Sequence, residues 1–307
     1  MTETMYDVVV IGAGPGGMTA ALYTARSNLK TLLLERGIPG GQLNNTAEIE
    51  NYTGFSSIMG PILATDMYEQ VMKFGIEYDF GAVKEVVDRQ SYKEVHAGNK
   101  IYRTRTVIIA TGAEHRKLDV PGEAELNGRG VSYCAVCDGA FFKDEPIVVI
   151  GGGDSAVEEG NYLTQFANKV TIIHRRDELR AKKILQERAF QNEKINFVWD
   201  TVVERIEGKQ SVEAVIVRNV KTGEVTRIAT AGVFIYVGLL PNSEPFLNLG
   251  ITDAEGWIIT DETMATKIPG IFAIGDVRQT VLRQIATAVG DGAIAGDYAF
   301  KYIETLN

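Results

Sequence analysis

The sequence predicts an α/β fold holding two Rossmann-like dinucleotide-binding domains. The main observation is a repeat: a continuous apolar strand, a glycine-rich loop and a helix follow one another twice, at 6–35 and at 146–176. Uninterrupted apolar strands of this kind belong to parallel sheets covered on both faces. Length and composition agree. A chain of 307 residues has room for about two domains, and its 32 glycines exceed the usual share of about 7%.

The first repeat opens with Tyr6-Asp7-Val8-Val9-Val10-Ile11, read as a buried strand. Gly12-Ala13-Gly14-Pro15-Gly16-Gly17 follows, and the spacing predicts a helix over Met18 to Ser27 and a second strand over Thr31 to Leu34 that ends in Glu35. In such a unit Gly12 makes a tight turn, Gly14 lets a diphosphate approach the backbone, and Gly17 lets helix and strand pack closely. The helix N-terminus offers free N–H groups to the diphosphate. Glu35 stands where a carboxylate accepts hydrogen bonds from ribose hydroxyls. A glycine triplet alone says little; with strand, helix and acid in register it specifies a dinucleotide site.

The second repeat runs Pro146–Ile150, then Gly151-Gly152-Gly153-Asp154-Ser155-Ala156, a helix from about Ser155 to Phe166, and a strand over Lys169 to Ile173. Alanine takes the packing position. Where the first repeat ends in Glu35, this one ends in His174-Arg175-Arg176, with Arg180 one turn on. Guanidinium groups bind a 2′-phosphate through charge-assisted hydrogen bonds, whereas a carboxylate repels it. The second ligand is therefore read as NADPH.

Beyond the repeats, Ile195–Trp199, Ala214–Arg218 and Gly232–Val237 read as strands, and Pro241 and Pro245 punctuate the chain. Gly270–Asp276 reads as another apolar strand ending in Gly275-Asp276, and a Gly/Ala-rich helix over about Arg283–Ile303 closes the sequence.

The chain has two cysteines, Cys134 and Cys137, in Ser132-Tyr133-Cys134-Ala135-Val136-Cys137-Asp138-Gly139. This spacing lets the two sulfurs meet at the start of a helix, where thiolate, the attacking species in disulfide exchange, is favoured. Zinc needs about four ligands; the only histidines are His96, His115 and His174, none at ligand spacing, so no metal is expected. Asp138 reads equally as a first-turn acid of that helix and as a proton donor to a departing thiolate. The two readings are compatible.

Composition excludes other classes. The chain is 45% hydrophobic and 23% charged with a net charge of −9, an acidic balance that argues against nucleic-acid and anionic-membrane surfaces. No apolar run approaches the roughly 20 residues of a membrane span. Met1 to Asp7 has no basic n-region, so no signal peptide is expected, and a lone close cysteine pair points to the cytoplasm.

Together these motifs resemble the low-molecular-weight thioredoxin reductases of bacteria, essentially end to end. The resemblance rests on Gly12–Gly17, Gly40-Gly41-Gln42, Glu50-Asn51-Tyr52, Ala110-Thr111-Gly112, Cys134–Gly139, Gly151–Ala156, His174–Arg176 and Gly275-Asp276, in that order. It implies FAD at the first site and NADPH at the second, thioredoxin as protein substrate, and a homodimer. Around the FAD it places Gly12, Gly14, Pro15, Gly17, Glu35 and Arg36. It adds Gly40, Gly41, Gln42, Asn51, Val83, Thr111, Gly112, Gly275, Asp276 and the segment Arg283-Gln284-Ile285-Ala286. Around NADPH it places Gly151, Gly153, Asp154, Ser155, Ala156, His174, Arg175, Arg176, Arg180 and Gly238. Thr53 stands where many members have proline.

The resemblance also implies that an NADPH domain, 115–244, is inserted in an FAD domain made of 1–114 and 245–307. It implies that Cys137 takes electrons from the flavin and Cys134 attacks the incoming disulfide. Nicotinamide and dithiol then share one domain and both need the flavin, so a hinge rotation of the insert is expected. Relatives that serve peroxiredoxins carry an extra N-terminal thioredoxin-like domain, not expected ahead of Tyr6. Ferredoxin–NADP reductases of the same fold lack the cysteine pair, and a nucleotide-sensing module would not need it.

Overall fold

The computed structural model describes residues 4–46 and 48–306; residues 1–3 of the N-terminal segment read above lie outside this range. The chain divides into two compact units, Met1–Glu114 with Leu240–Asn307, and His115–Leu239. In the first, β1 (Met5–Ile11), α1 (Pro15–Arg26) and β2 (Thr31–Glu35) are followed by α2 (Gly60–Met72) and β3 (Glu77–Phe80). Then come β4 (Val83–Asp88), β5 (Lys93–Ala97), β6 (Lys100–Ile109) and the exit strand β7 (Ala113–His115).

The second unit begins with β8 (Val131–Ser132), α3 (Ala135–Asp138), β9 (Pro146–Ile150), α4 (Asp154–Leu163), β10 (Lys169–Ile173), α5 (Lys183–Gln191) and β11 (Ile195–Val198). It continues with β12 (Thr201–Gly208), β13 (Val212–Asn219), β14 (Val225–Ala229) and β15 (Gly232–Ile235). The return strand β16 (Leu239–Pro241) leads to β17 (Ile271–Ala273) and α6 (Ile285–Glu304). The two connecting strands, β7 and β16, pair with each other.

The first unit is built on a sheet ordered β3-β2-β1-β6-β5-β4, with β17 also against β6. Alternation along β1 shows why its apolar run is unbroken. Val9 and Ile11 belong to one core with Leu32, Leu34, Val107 and Phe246; Val8 and Val10 belong to the other with Met18, Leu33, Ile108 and Ala295. A strand buried on both faces has no polar side to show. The small residues of α6 let it lie against α1. A Cβ on Gly292 would meet the Gly16 carbonyl at 2.4 Å, and one on Gly296 would meet the Tyr23 Cβ at 2.6 Å.

The second unit carries a parallel sheet ordered β11-β10-β9-β15-β8. One face packs Val149, Val157, Leu163 and Phe234 against the helical layer. On the other, Val148, Ile150 and Val233 pack with Val203, Val215 and Val217 of the antiparallel meander β12-β13-β14. In both sheets the strand before the glycine loop has parallel neighbours on either side, β1 between β2 and β6, β9 between β10 and β15. The carboxyl end of such a strand is where open α/β sheets bind ligands.

Several expected boundaries move. The return crossing lies between Leu239 and Leu240, not at 244/245. The Asn242 N–H donates to the Gly112 carbonyl at 3.0 Å, its side chain donates to the Thr111 carbonyl, and Ser243 Oγ donates to the Gly256 carbonyl. These bonds hold 240–244 in the first unit, so Pro245 is not the boundary. The last helix starts at Ile285 instead of Arg283, because Gln284 is its N-cap in a reciprocal capping box with Thr287. Only Ile271–Ala273 of the expected strand 270–276 is strand; Gly275–Val277 coils into a 3₁₀ turn. α4 ends at Leu163, three residues short of the expected Phe166. Among the described residues no helix is long and apolar enough to cross a membrane.

Candidate functional site

In the first unit β1 delivers the chain into the glycine loop. Gly12 has φ +106°, and a Cβ there would meet the Ala110 carbonyl oxygen at 2.4 Å. At Gly17 a Cβ would stand 1.9 Å from the Gly12 carbonyl oxygen. Gly14 is different: a Cβ there meets nothing within 4 Å. The fold itself needs Gly12 and Gly17, whereas Gly14 leaves open space above a bare backbone. Gly14 is also the N-cap of α1, with Pro15 next, no capping side chain and no acid in the first turn. An uncapped helix start beside open backbone suits a diphosphate. Glu35 Oε2 accepts the Ala13 N–H at 2.7 Å and Oε1 the Gly37 N–H at 2.8 Å. A carboxylate has about four acceptor sites, so two remain for ribose hydroxyls. Arg36 is exposed and pairs with Glu114.

The other first-unit residues are held by bonds to one another. Gly40 has φ +123° and donates its N–H to the Ala13 carbonyl at 2.7 Å, seating the turn Gly41–Asn45 beside the loop. Gln42 Nε2 donates to the Ala113 carbonyl at 3.2 Å, and Asn51 Nδ2 to Gln284 Oε1 at 3.0 Å. Asn242 clasps Thr111 and Gly112. Val83 begins β4, half-buried against the core.

Asp276 lies in the 3₁₀ turn, and burial holds its carboxyl above the usual range despite the nearby Arg283. The Arg283 guanidinium stacks 4.0 Å from the centroid of Trp257, and burial lowers its affinity for its proton. Ile285 and Ala286 open α6, whose first turn contains no acid. The turn is anchored from behind by Asp291, which accepts the Gly275 N–H at 3.0 Å and binds Arg278 through Nε at 2.7 Å and a second nitrogen at 3.1 Å.

In the second unit Gly151 has φ +148°, and a Cβ there would meet the Tyr236 carbonyl oxygen at 2.4 Å. At Gly153, the N-cap of α4, a Cβ meets nothing within 4 Å, as at Gly14. The acid in the first turn of α4, Asp154, is bound to Lys182, accepting its N–H at 2.8 Å and pairing with its Nζ at 3.4 Å. Ser155 is exposed and Ala156 buried. Gly238 has φ +132°, and its carbonyl accepts the Arg116 N–H. Arg175, Arg176 and Arg180 are exposed, and none of them forms an ion pair among the described residues. Arg180 is tied to the loop through its N–H, which donates to the Gly152 carbonyl at 2.7 Å. His174 is buried, its ring filling the space a Gly152 Cβ would need. Burial, then the three guanidinium groups, keep the imidazole below its ordinary range and so neutral. It supports the loop by packing and adds no charge.

Cys134 and Cys137 form a disulfide with Cα atoms 5.3 Å apart. Cys134 is the N-cap of α3, and its Sγ accepts the Cys137 N–H at 3.1 Å. Both cysteines are half-buried. Burial raises the Asp138 carboxyl above the ordinary range, opposed by a hydrogen bond from Ser132. The Tyr236 hydroxyl accepts the Ala135 N–H at 2.7 Å, fixing the first turn of α3. Asn242, Arg278, Asp291, Ser132 and Tyr236 were not singled out from the sequence. Only Asp291, an acid inside a Gly/Ala-rich helix, and Ser132, next to the cysteine motif, carried a signal that could have found them.

Comparison with known proteins returns one consistent picture. The model of the pyridine nucleotide-disulphide oxidoreductase family matches residues 6–292. Thioredoxin reductase of Listeria monocytogenes is 61% identical over 306 residues, 99% of this chain and 96% of that one. Thioredoxin reductase of Bacillus subtilis is 60% identical over 305 residues, with the same coverage of 99% and 96%. The crystal structure of thioredoxin reductase from Streptococcus pyogenes superposes with a TM-score of 0.96 at 59% identity, covering 99% of this chain and 100% of that one.

Proposed function

The chain belongs to the pyridine nucleotide-disulphide oxidoreductase family, and from that premise we propose that it is an NADPH-dependent thioredoxin-disulfide reductase. The observation that carries this reading is the Cys134–Cys137 disulfide, seated at a helix N-terminus in the same unit as a glycine loop and three arginines that form no ion pair among the described residues. The uncapped α1, the open space at Gly14 and the spare acceptor sites of Glu35 fit FAD. The uncapped α4, the open space at Gly153, and Arg175, Arg176 and Arg180 fit NADPH with its 2′-phosphate. Bound FAD supplies the two-electron relay between nicotinamide and disulfide.

The remaining chemistry belongs to the chain's own residues. Two electrons and two protons open the Cys134–Cys137 bond to a dithiol. The Cys134 sulfur already accepts a backbone N–H, a contact that strengthens when sulfur becomes thiolate, so Cys134 is the nucleophile. Its thiolate attacks one sulfur of the thioredoxin disulfide, forming a mixed disulfide and expelling the other as thiolate. Cys137 then attacks the Cys134 sulfur, which restores the internal disulfide and releases reduced thioredoxin. Asp138, its carboxyl raised by burial, gives a proton to a departing thiolate and regains it from a thiol. The same reading makes the protein a cytoplasmic homodimer.

The test is to follow NADPH oxidation with oxidised thioredoxin as acceptor. Two new thiols per NADPH, and a much slower reaction with NADH, are expected. NADPH consumption without thiols, or equal rates with both nucleotides, contradicts the assignment.

A further inference from the structure

Ser132 closes β8 two residues ahead of the first cysteine, and it is buried, with 4% of its surface exposed. Its hydroxyl accepts the Cys134 N–H at 3.0 Å and donates to Asp138 Oδ2 at 2.5 Å. The Cys134 carbonyl is a second acceptor for the same hydrogen, at 3.3 Å. A hydroxyl has one hydrogen and two lone pairs, so this set of partners serves both forms of the acid. With Asp138 ionised, the serine hydrogen goes to the carboxylate, the shorter and charge-assisted contact. With Asp138 protonated, the acid O–H donates to Ser132 Oγ, and the serine hydrogen turns to the Cys134 carbonyl. No atom needs to move beyond a hydroxyl rotation.

We propose that Ser132 is a positioning residue of the thiol–disulfide step: its hydroxyl holds Asp138 against the cysteine helix in both protonation states and sets the pH at which that acid releases its proton. The proposal rests on the reading of Asp138 as the acid of the exchange. Two other titratable groups face this place. Tyr236 binds the Ala135 N–H, and Glu159 stands on α4, which packs against α3. Neither bonds Ser132, so a change at Ser132 acts on Asp138 directly.

The experiment compares the pH dependence of NADPH-driven thioredoxin reduction in the FAD-loaded wild type, Ser132→Ala, Ser132→Thr and Asp138→Asn. Activity that needs the protonated acid falls as pH rises through the Asp138 pKa. Removing a donor from the carboxylate raises that pKa, so Ser132→Ala moves this limb to higher pH by roughly one unit, about tenfold in the acid's dissociation constant. Ser132→Thr, which keeps the hydroxyl, restores the wild-type midpoint. A merely structural role would change the rate and leave the midpoint in place.

Infrared difference spectra give a second readout. The carbonyl band of protonated Asp138, identified by its loss in Asp138→Asn, shifts in Ser132→Ala. An unmoved midpoint and band in Ser132→Ala overturn the proposal. If that variant does not fold, a wild-type band at the frequency of an unbonded acid overturns it equally. A limb that survives Asp138→Asn instead refutes the acid reading itself.

Discussion

Arg175, Arg176 and Arg180 each hold out a guanidinium that pairs with no carboxylate in the described structure, although the chain carries 40 acidic residues. Arg36, at the equivalent place in the first unit, is paired with Glu114. Unpaired arginines near a helix N-terminus suit a phosphate, which is the ground of the proposed NADPH site. Replacing any of the three with alanine is expected to raise the KM for NADPH by about 10- to 100-fold, the worth of one hydrogen bond to a charged group. The KM for NADH should stay nearly unchanged, and steady-state kinetics with both nucleotides measure the ratio. These residues were legible in the sequence because they stand at a fixed distance from a glycine loop. Asp291, Asn242 and Ser132 were harder to read. Asn242 binds Thr111 and Gly112, 131 and 130 residues away, and so distant a pairing leaves no spacing to read. Asp291 and Ser132 bind nearer partners, Gly275 and Arg278 in the one case and Asp138 in the other, but neither pairing follows a recognised motif. The role of His174 was only half legible, since nothing in the sequence says that its ring turns under Gly152.

The two glycine loops are elements whose residues divide into those the fold needs and those a ligand needs. Gly17→Ala would place a Cβ 1.9 Å from a carbonyl oxygen, while Gly14→Ala places one in open space at φ −76°. Gly17→Ala is therefore expected to destabilise the protein by several kcal/mol, as overpacking and forced backbone shifts do. Gly14→Ala is expected to leave the apoprotein's melting temperature within about 2 °C while sharply weakening FAD retention. Thermal melts of apoprotein and flavin content after gel filtration separate the two effects. Equal loss of stability in both variants would contradict this division.

The βαβ elements were readable because strands buried on two faces have continuous apolar sequences. The run β3–β6 and helix α2 were not singled out. β4 alternates buried Val86 with exposed Lys84, Glu85 and Asp88, and β3 is exposed at Glu77 and Phe80; short, half-covered strands carry a weak pattern. α2 buries only Gly60, Leu63, Ala64 and Val71, so its apolar stripe is thin.

At the scale of the whole molecule, one unit is continuous and the other is interrupted by it, with crossings at Glu114/His115 and Leu239/Leu240. The side chain and N–H of Asn242 hold 240–244 in the first unit, so the return crossing lies five residues upstream of the one the resemblance implied. This arrangement gathers both cysteines, the second glycine loop and the arginine cluster into one unit and leaves the first glycine loop to the other.

In the proposed electron path the nucleotide comes first and the Cys134–Cys137 pair last. The most direct measurement mixes NADPH anaerobically with the FAD-loaded Cys134→Ser and Cys137→Ser variants and records flavin bleaching, then assays thioredoxin reduction. Each variant is expected to bleach at close to the wild-type rate and to reduce no thioredoxin. A variant that still reduces thioredoxin, or a flavin that NADPH no longer bleaches, would contradict this order.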